Sequence, residues 1–116
     1  MVVFLSALLI PFIFLVAGVI TKIYPPKKIN GTYGYRTKRS MANQKAWDFA
    51  NIYSSNLCIR LGAIGMLLFG LIYAFMDTNE TTWIILLFVD LFGTCIALGY
   101  FTEKKLKEQF MDVTNG

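Results

Sequence analysis

The sequence predicts an all-α integral membrane protein with three transmembrane helices, and three observations predict it. Of its 116 residues, 56% are hydrophobic and 16% are charged, against about 45–50% and about 25% in a soluble domain. The charges are clumped, and the uncharged runs between the clumps are long enough to cross a bilayer. The two segments joining those runs also differ in sign: the first is basic and the second acidic. Disorder, a disulfide-rich secreted scaffold and a water-soluble globule are excluded. The length is room for one membrane domain, residues 1–116.

The first span is read over residues 2–22, because residues 1–21 carry no charged side chain and a hydrocarbon core of ~30 Å needs about 20 helical residues. The segment has no basic n-region and no small-residue cleavage site, so it is expected to be kept rather than removed as a signal peptide. Pro11 predicts a kink. The second uncharged run, residues 61–76, is short. Arg60 can snorkel to the interface, which extends the span to 57–76. The third span is residues 83–101, interrupted by Asp90 and ended by Trp83 and Tyr100 as interface anchors.

Orientation follows from the loops. Lys22, Lys27, Lys28, Arg36, Lys38, Arg39 and Lys45 precede the second span with no acidic residue among them. Asp77 and Glu80 lie between the second and third spans with no basic residue. The tail holds Lys104, Lys105 and Lys107. The positive-inside rule then predicts an N-out, C-in protein. Residues 23–56 form a basic cytoplasmic loop, 77–82 an outer loop and 102–116 a cytoplasmic tail.

That basic loop holds the densest pattern. Tyr24-Pro25-Pro26 stops the first helix, and Ile29-Asn30-Gly31-Thr32-Tyr33-Gly34-Tyr35-Arg36-Thr37 follows. Glycines among aromatics suit a tight turn, and Arg36 beside successive backbone N–H groups can hold a phosphate or carboxylate. A plain connecting turn with topology-setting charges fits the same spacing. Ser40 is expected to N-cap the next helix. Gln44, Asp48, Asn51 and Ser55 make a polar stripe opposite Ala46, Phe49, Ala50, Tyr53 and Leu57. This predicts an amphipathic helix running into the second span, with Trp47 at headgroup level. Whether residues 41–76 form one helix or bend near Ser54-Ser55-Asn56 stays open.

Inside the spans, Ser54, Cys58, Gly62, Met66 and Gly70 recur every four residues and predict a close-packing face. Asp90, Gly93, Thr94 and Ala97 share a face of the third span, so Asp90 is expected to point at protein. A membrane carboxyl needs a partner or a proton. Asp90 reads equally as a proton relay and as a structural hydrogen-bonding group. Arg60 is too near the cytoplasmic end to pair with it, and Tyr73 or a second copy of the chain is the expected partner.

Cys58 and Cys95 lie in apolar runs and read as small hydrophobes rather than a redox pair. The chain has no histidine. That removes the Ser-His triad and His-containing zinc sites. No catalytic residue, metal site or cofactor is expected. The net charge of +4 points to anionic lipid headgroups rather than nucleic acid.

Pro26, Asn30, Gly31, Tyr33-Gly34-Tyr35-Arg36-Thr37, Ser40-Met41, Asn43, Trp47 and Ala50-Asn51 together resemble the signature of the SdpI-like immunity-protein family. Tyr100-Phe101-Thr102-Glu103, with Leu106 and Phe110, resembles that family's ending. The likeness covers residues 24–110. Longer members carry a further membrane domain ahead of this region, and this chain is expected to be a short form without it.

The resemblance implies a multi-span protein of the bacterial inner membrane. Its best-known activity is immunity to a secreted peptide toxin that damages the membrane of sibling cells. The site positions it carries over are Asn30, Gly34, Arg36, Thr37, Ser40, Trp47 and Asn51. Expected partners are anionic lipid headgroups, a peptide toxin and a second copy of the chain. The alternative is a small oligomeric proton-coupled transporter or lipid-headgroup-binding protein that uses Asp90 and the Arg36 loop. A membrane enzyme is the least favoured class.

Overall fold

A computed structural model describes the backbone of residues 2–115 and the side chains of residues 2–109. Three α-helices, α1 (Val2–Ile23), α2 (Gln44–Phe75) and α3 (Glu80–Asn115), pack as a bundle measuring 55 × 26 × 20 Å. There is no strand among the described residues. All three helices are long and apolar enough to cross a membrane.

At 1.5 Å per residue, the 32 residues of α2 span about 48 Å and the 36 of α3 about 54 Å. The hydrocarbon core needs only ~30 Å. The surplus of both helices lies at one end, because α2 and α3 run antiparallel. The start of α2 and the 103–106 turn of α3 pack there with the 24–43 loop. This end is basic, and the opposite end carries Asp77 and Glu80.

α3 runs on as helix through residues 102–115, the segment expected as a tail beyond the third span. The open question about residues 41–76 resolves as one continuous α2 that starts at Gln44. Ser40 is not its N-cap. Asn43 is, and its side chain accepts from Ala46 N at 2.8 Å. Ser40 instead folds the preceding turn.

The α1–α2 contact is made by small residues. A methyl group on Gly62 would lie 2.6 Å from Leu15 N and Pro11 O, both backbone atoms of α1. One on Gly18 would lie 2.8 Å from Ser55 O and Ile59 Cγ1. Gly65 faces Pro11 Cβ at 2.8 Å and Asp90 Oδ1 at 3.3 Å on the same basis. Backbones this close gain dispersion along their whole length, which substitutes for the hydrophobic effect that lipid cannot supply. The residues meeting α1 follow helical drift: Ser55, Cys58, Gly62 and Gly65. The strict every-fourth-residue face is therefore corrected, because Gly70 has nothing near it while Gly65 is in contact.

Pro11 sits at this crossing, fully buried, inside an unbroken α1. Its missing N–H leaves the Ala7 carbonyl without its usual partner. Its ring gives α2 a flat surface against Gly65.

At the acidic end, Phe4, Phe69, Tyr73 and Trp83 interlock. Phe4 stacks on Tyr73 at 4.1 Å between ring centres, and Trp83 meets Phe4 and Phe69 edge-on at 4.9 and 5.6 Å. Trp83 is 4% exposed, so it closes the bundle rather than anchoring the lipid interface as expected.

Gly62→Val forces α1 and α2 apart and is expected to destabilise the bundle by about 1–3 kcal/mol. Gly70→Ala meets open space and is expected to be neutral or to gain up to about 1 kcal/mol from helix propensity. SDS-induced unfolding in detergent micelles reads both.

Candidate functional site

The basic end is built around Asn51, which α2 holds at 3% exposure under the loop. Its Oδ1 accepts from Tyr35 N at 2.6 Å, and its Nδ2 donates to Trp47 O at 2.9 Å. Gly34 lies over it with φ +106°, a conformation that L side chains rarely adopt. A methyl at Gly34 would lie 2.5 Å from Asn51 Oδ1 and 2.7 Å from Pro26 Cγ. Glycine is thus required twice, for the turn and for the close approach.

Trp47 is fully buried, and its Nε1 donates to Pro26 O at 2.7 Å. Trp47 therefore packs under the loop rather than facing lipid. The amphipathic reading is corrected with it, since Asn51 and Ser55 on the polar stripe are as buried as Ala46 and Ala50 opposite. Asn51 is covered by the loop, Ser55 by Gly18 of α1, and Ala46 and Ala50 pack with Leu106 of α3.

Ahead of Gly34, Asn30 Oδ1 accepts from Thr32 N at 3.0 Å and Tyr33 N at 2.7 Å. Arg36 Nη1 donates to Gly31 O, and the Tyr33 hydroxyl donates to Tyr24 O. Beyond it, the Ser40 hydroxyl accepts from Thr37 N at 2.8 Å and lies 3.0 Å from Tyr35 O, while Ser40 N donates to Thr37 Oγ1 at 3.2 Å. The seven motif positions are thus brought together as one internally bonded turn. Their described polar groups bond to backbone. Arg36 remains exposed, with its guanidinium at the turn's edge.

Residues outside the expected set tie this turn to α3. The Tyr35 hydroxyl lies 3.1 Å from Glu103 Oε1, and Arg39 Nε pairs with Glu103 Oε2 at 3.3 Å. Leu106, 2% exposed, packs with Ala46, Ala50, Tyr35 and Phe49. Glu103 and Leu106 belong to the quoted C-terminal pattern, so their signal was present. It had no visible partner, because 68 residues separate Tyr35 from Glu103. Burial chiefly, then the charge and hydrogen bond of Glu103, hold the Tyr35 phenol well above its ordinary value, while a bond to Thr37 works the other way.

Between this cap and the spans lies a cavity of about 200 Å³ lined by Ala17, Thr21, Gly34, Tyr35, Ser54, Ser55, Cys58 and Leu98. The thiols of Cys58 and Cys95 are free, and Cys95 is exposed on α3.

Deeper in the bundle, Asp90 faces Gly65 as expected of a protein-facing carboxyl. Thr94 Oγ1 is 3.5 Å from its Oδ1, and Oδ2 is enclosed with no partner among the described residues. The expected bond from Tyr73 is not among its described contacts, and the Tyr73 ring is stacked on Phe4. Gly93 has no neighbour across the interface, so it drops from the expected face. Arg60 is exposed on α2, and no bond joins it to Asp90 among the described residues.

Gly34→Ala is expected to open the turn, at about 1–3 kcal/mol of backbone strain. Faster tryptic cleavage at the loop lysines and arginines, at unchanged helix content, would show it. Tyr35→Phe removes a bond to a carboxylate. With the folded-state value raised, the wild-type advantage is complete below pH 10.0, Tyr35's ordinary value, and is lost as pH climbs above it. Stability curves of the two proteins are expected to converge in that alkaline range; a constant gap from pH 7 upward would contradict the assignment.

Comparison with known proteins places this arrangement. Residues 27–100 match the SdpI/YfhL protein family. The uncharacterized protein YfhL of Bacillus subtilis (strain 168) is 40% identical over 94 residues, covering 80% of this chain and 78% of that protein. No solved structure matches the chain. The match runs from the basic loop through all of α2 to the end of the apolar part of α3, so this multi-pass membrane protein belongs to the SdpI/YfhL family.

Proposed function

We propose that the protein confers immunity or resistance to a membrane-active peptide toxin in the bacterial cytoplasmic membrane, by binding rather than catalysis. Family membership supports the immunity class. One geometric observation supports binding. The described polar groups of the motif are consumed in holding a turn rigid, with Arg36 at its exposed edge. A catalytic centre instead needs an acid, base or nucleophile directed at a substrate. A rigid, pre-organised surface gains affinity because little ordering entropy is lost on binding.

The positive-inside rule puts the basic cap in the cytoplasm and the acidic end outside. Lys22, Lys27, Lys28 and Lys104 then stand at the inner leaflet, where anionic headgroups are the natural lipid partners.

A second reading, an oligomeric proton-coupled transporter, is favoured by one observation: the enclosed, unpartnered Oδ2 of Asp90. In that case Asp90→Asn keeps the fold and abolishes proton-coupled activity at every pH.

The deciding experiment is survival. Sensitive bacteria expressing wild type are expected to outlive controls when challenged with a membrane-active peptide toxin. Arg36→Ala, at equal membrane level, is expected to lose most of that protection. Equal killing of wild-type and control cells across a panel of such peptides would refute the immunity role and leave Asp90 and transport.

A further inference from the structure

We propose that the cavity between the cap and the spans is a site for one anionic phospholipid with hydroxyls on its headgroup, of the phosphatidylglycerol class. The inference rests on the anionic-lipid reading above, to which it gives a lipid and a place. It does not depend on the immunity role.

The depth of the cavity fits a headgroup. At 1.5 Å per residue, Thr21 lies about 3 Å and Ala17 about 9 Å from the end of α1. The glycerol and headgroup layer on each face of the hydrocarbon core is about 5–7 Å thick. Ala17 is the exposed member of the lining and marks the mouth, which opens from a membrane-length helix onto lipid. Ile13, one turn deeper on the same side of α1, is exposed and offers a lipid tail an apolar track. At ~30 Å³ per water molecule, the volume of about 200 Å³ has room for roughly six waters or for one glycerol-sized group.

The lining decides what enters. Thr21 Oγ1 donates to Ala17 O at 2.9 Å, Ser55 Oγ donates to Ile52 O at 3.0 Å, and Ser54 Oγ lies 3.5 Å from Asn51 O. The hydroxyl protons are turned to carbonyls of their own helices, so the oxygens offer a ligand their lone pairs. Ser55 is 3% exposed, deep in a helix crossing where an alanine would pack as well. Buried oxygens of this kind call for a donor. A ligand with O–H groups supplies one, and acyl chains alone do not.

Charge selects among such ligands. Residues 1–47 contain no Asp or Glu. Lys22 and Arg36, each next in sequence to a lining residue, are exposed. Glu103, which meets the Tyr35 wall, is already paired with Arg39 at 3.3 Å. The surroundings therefore favour a phosphate and disfavour a further ammonium. A phosphoglycerol headgroup brings a negative charge and hydroxyl donors together.

The test is native mass spectrometry of the protein released from uncharged maltoside micelles holding equal amounts of phosphatidylglycerol, phosphatidic acid and phosphatidylethanolamine. Wild type is expected to retain one phosphatidylglycerol, about tenfold in preference to either competitor. Thr21→Val with Ser55→Ala is expected to weaken retention about tenfold. Ala17→Phe, a lipid-facing change that leaves the polar lining intact, is expected to abolish the adduct by closing the mouth. Gly70→Ala is expected to keep it, and helix content checks that each variant folds.

No retained lipid in wild type, or retention unchanged in both variants, overturns the site. Equal retention of phosphatidic acid overturns the hydroxyl assignment, and equal retention of phosphatidylethanolamine overturns the charge assignment. Displacement by free glycerol 3-phosphate at the lipid's own concentration overturns the choice of a lipid over a soluble phosphate. The two readings separate in cells. Failure of wild type to protect while the adduct persists removes the immunity role alone, and protection without an adduct removes this site alone.

Discussion

Asn51 uses both ends of its amide to join two parts of the chain that would otherwise separate. Its oxygen takes the Tyr35 N–H and its nitrogen returns to the Trp47 carbonyl. Left without those partners at 3% exposure, the amide would cost about 1–3 kcal/mol. With them, it sets the height of the loop above α2. Gly34 then has to pass without a side chain, Pro26 has to lie beside it, and Trp47 finds its acceptor on Pro26. Tyr35 emerges from this arrangement aimed at Glu103, which recruits α3.

The two halves of the molecule use different physics. Within the spans, lipid competes equally for apolar side chains, and attraction comes from close backbone approach at Gly18, Gly62 and Gly65. In the cap, water is excluded by Trp47, Ala46, Ala50 and Leu106, and polar groups must be satisfied internally. Pro11 of α1 meets Gly65 of α2, and Gly65 in turn faces Asp90 of α3. A membrane protein of this size has no large core, so its specificity rests on a few contacts where backbones nearly touch.

The candidate site was legible as a set of residues and not as a set of roles. Gly34 and Arg36 were visible from the run Tyr33-Gly34-Tyr35-Arg36-Thr37. Their use differs from an anion cradle, because Arg36 donates to the Gly31 carbonyl. Ser40 looked like a helix cap because a serine before a helix usually is one. The competing winner was Asn43, three residues on, which left Ser40 free to bond the Thr37 turn. Trp47 and Trp83 both read as interface aromatics from their positions near span ends. Both are core residues, since an indole beside a helix crossing fills space that no smaller residue can.

The three membrane-length apolar helices and the separation of basic from acidic ends were determined by the sequence alone. Hydrophobic length and loop charge are properties of consecutive residues, and a bilayer reads them in that order. The tertiary structure decided which way the polar residues of α2 face, how far α2 and α3 extend past the spans, and that residues 4, 73 and 83 share one aromatic wall. Those outcomes depend on pairs such as Tyr35 with Glu103 and Gly62 with Pro11, distant in sequence. Such contacts form only when the helices have chosen their crossing, and local periodicity carries no record of that choice.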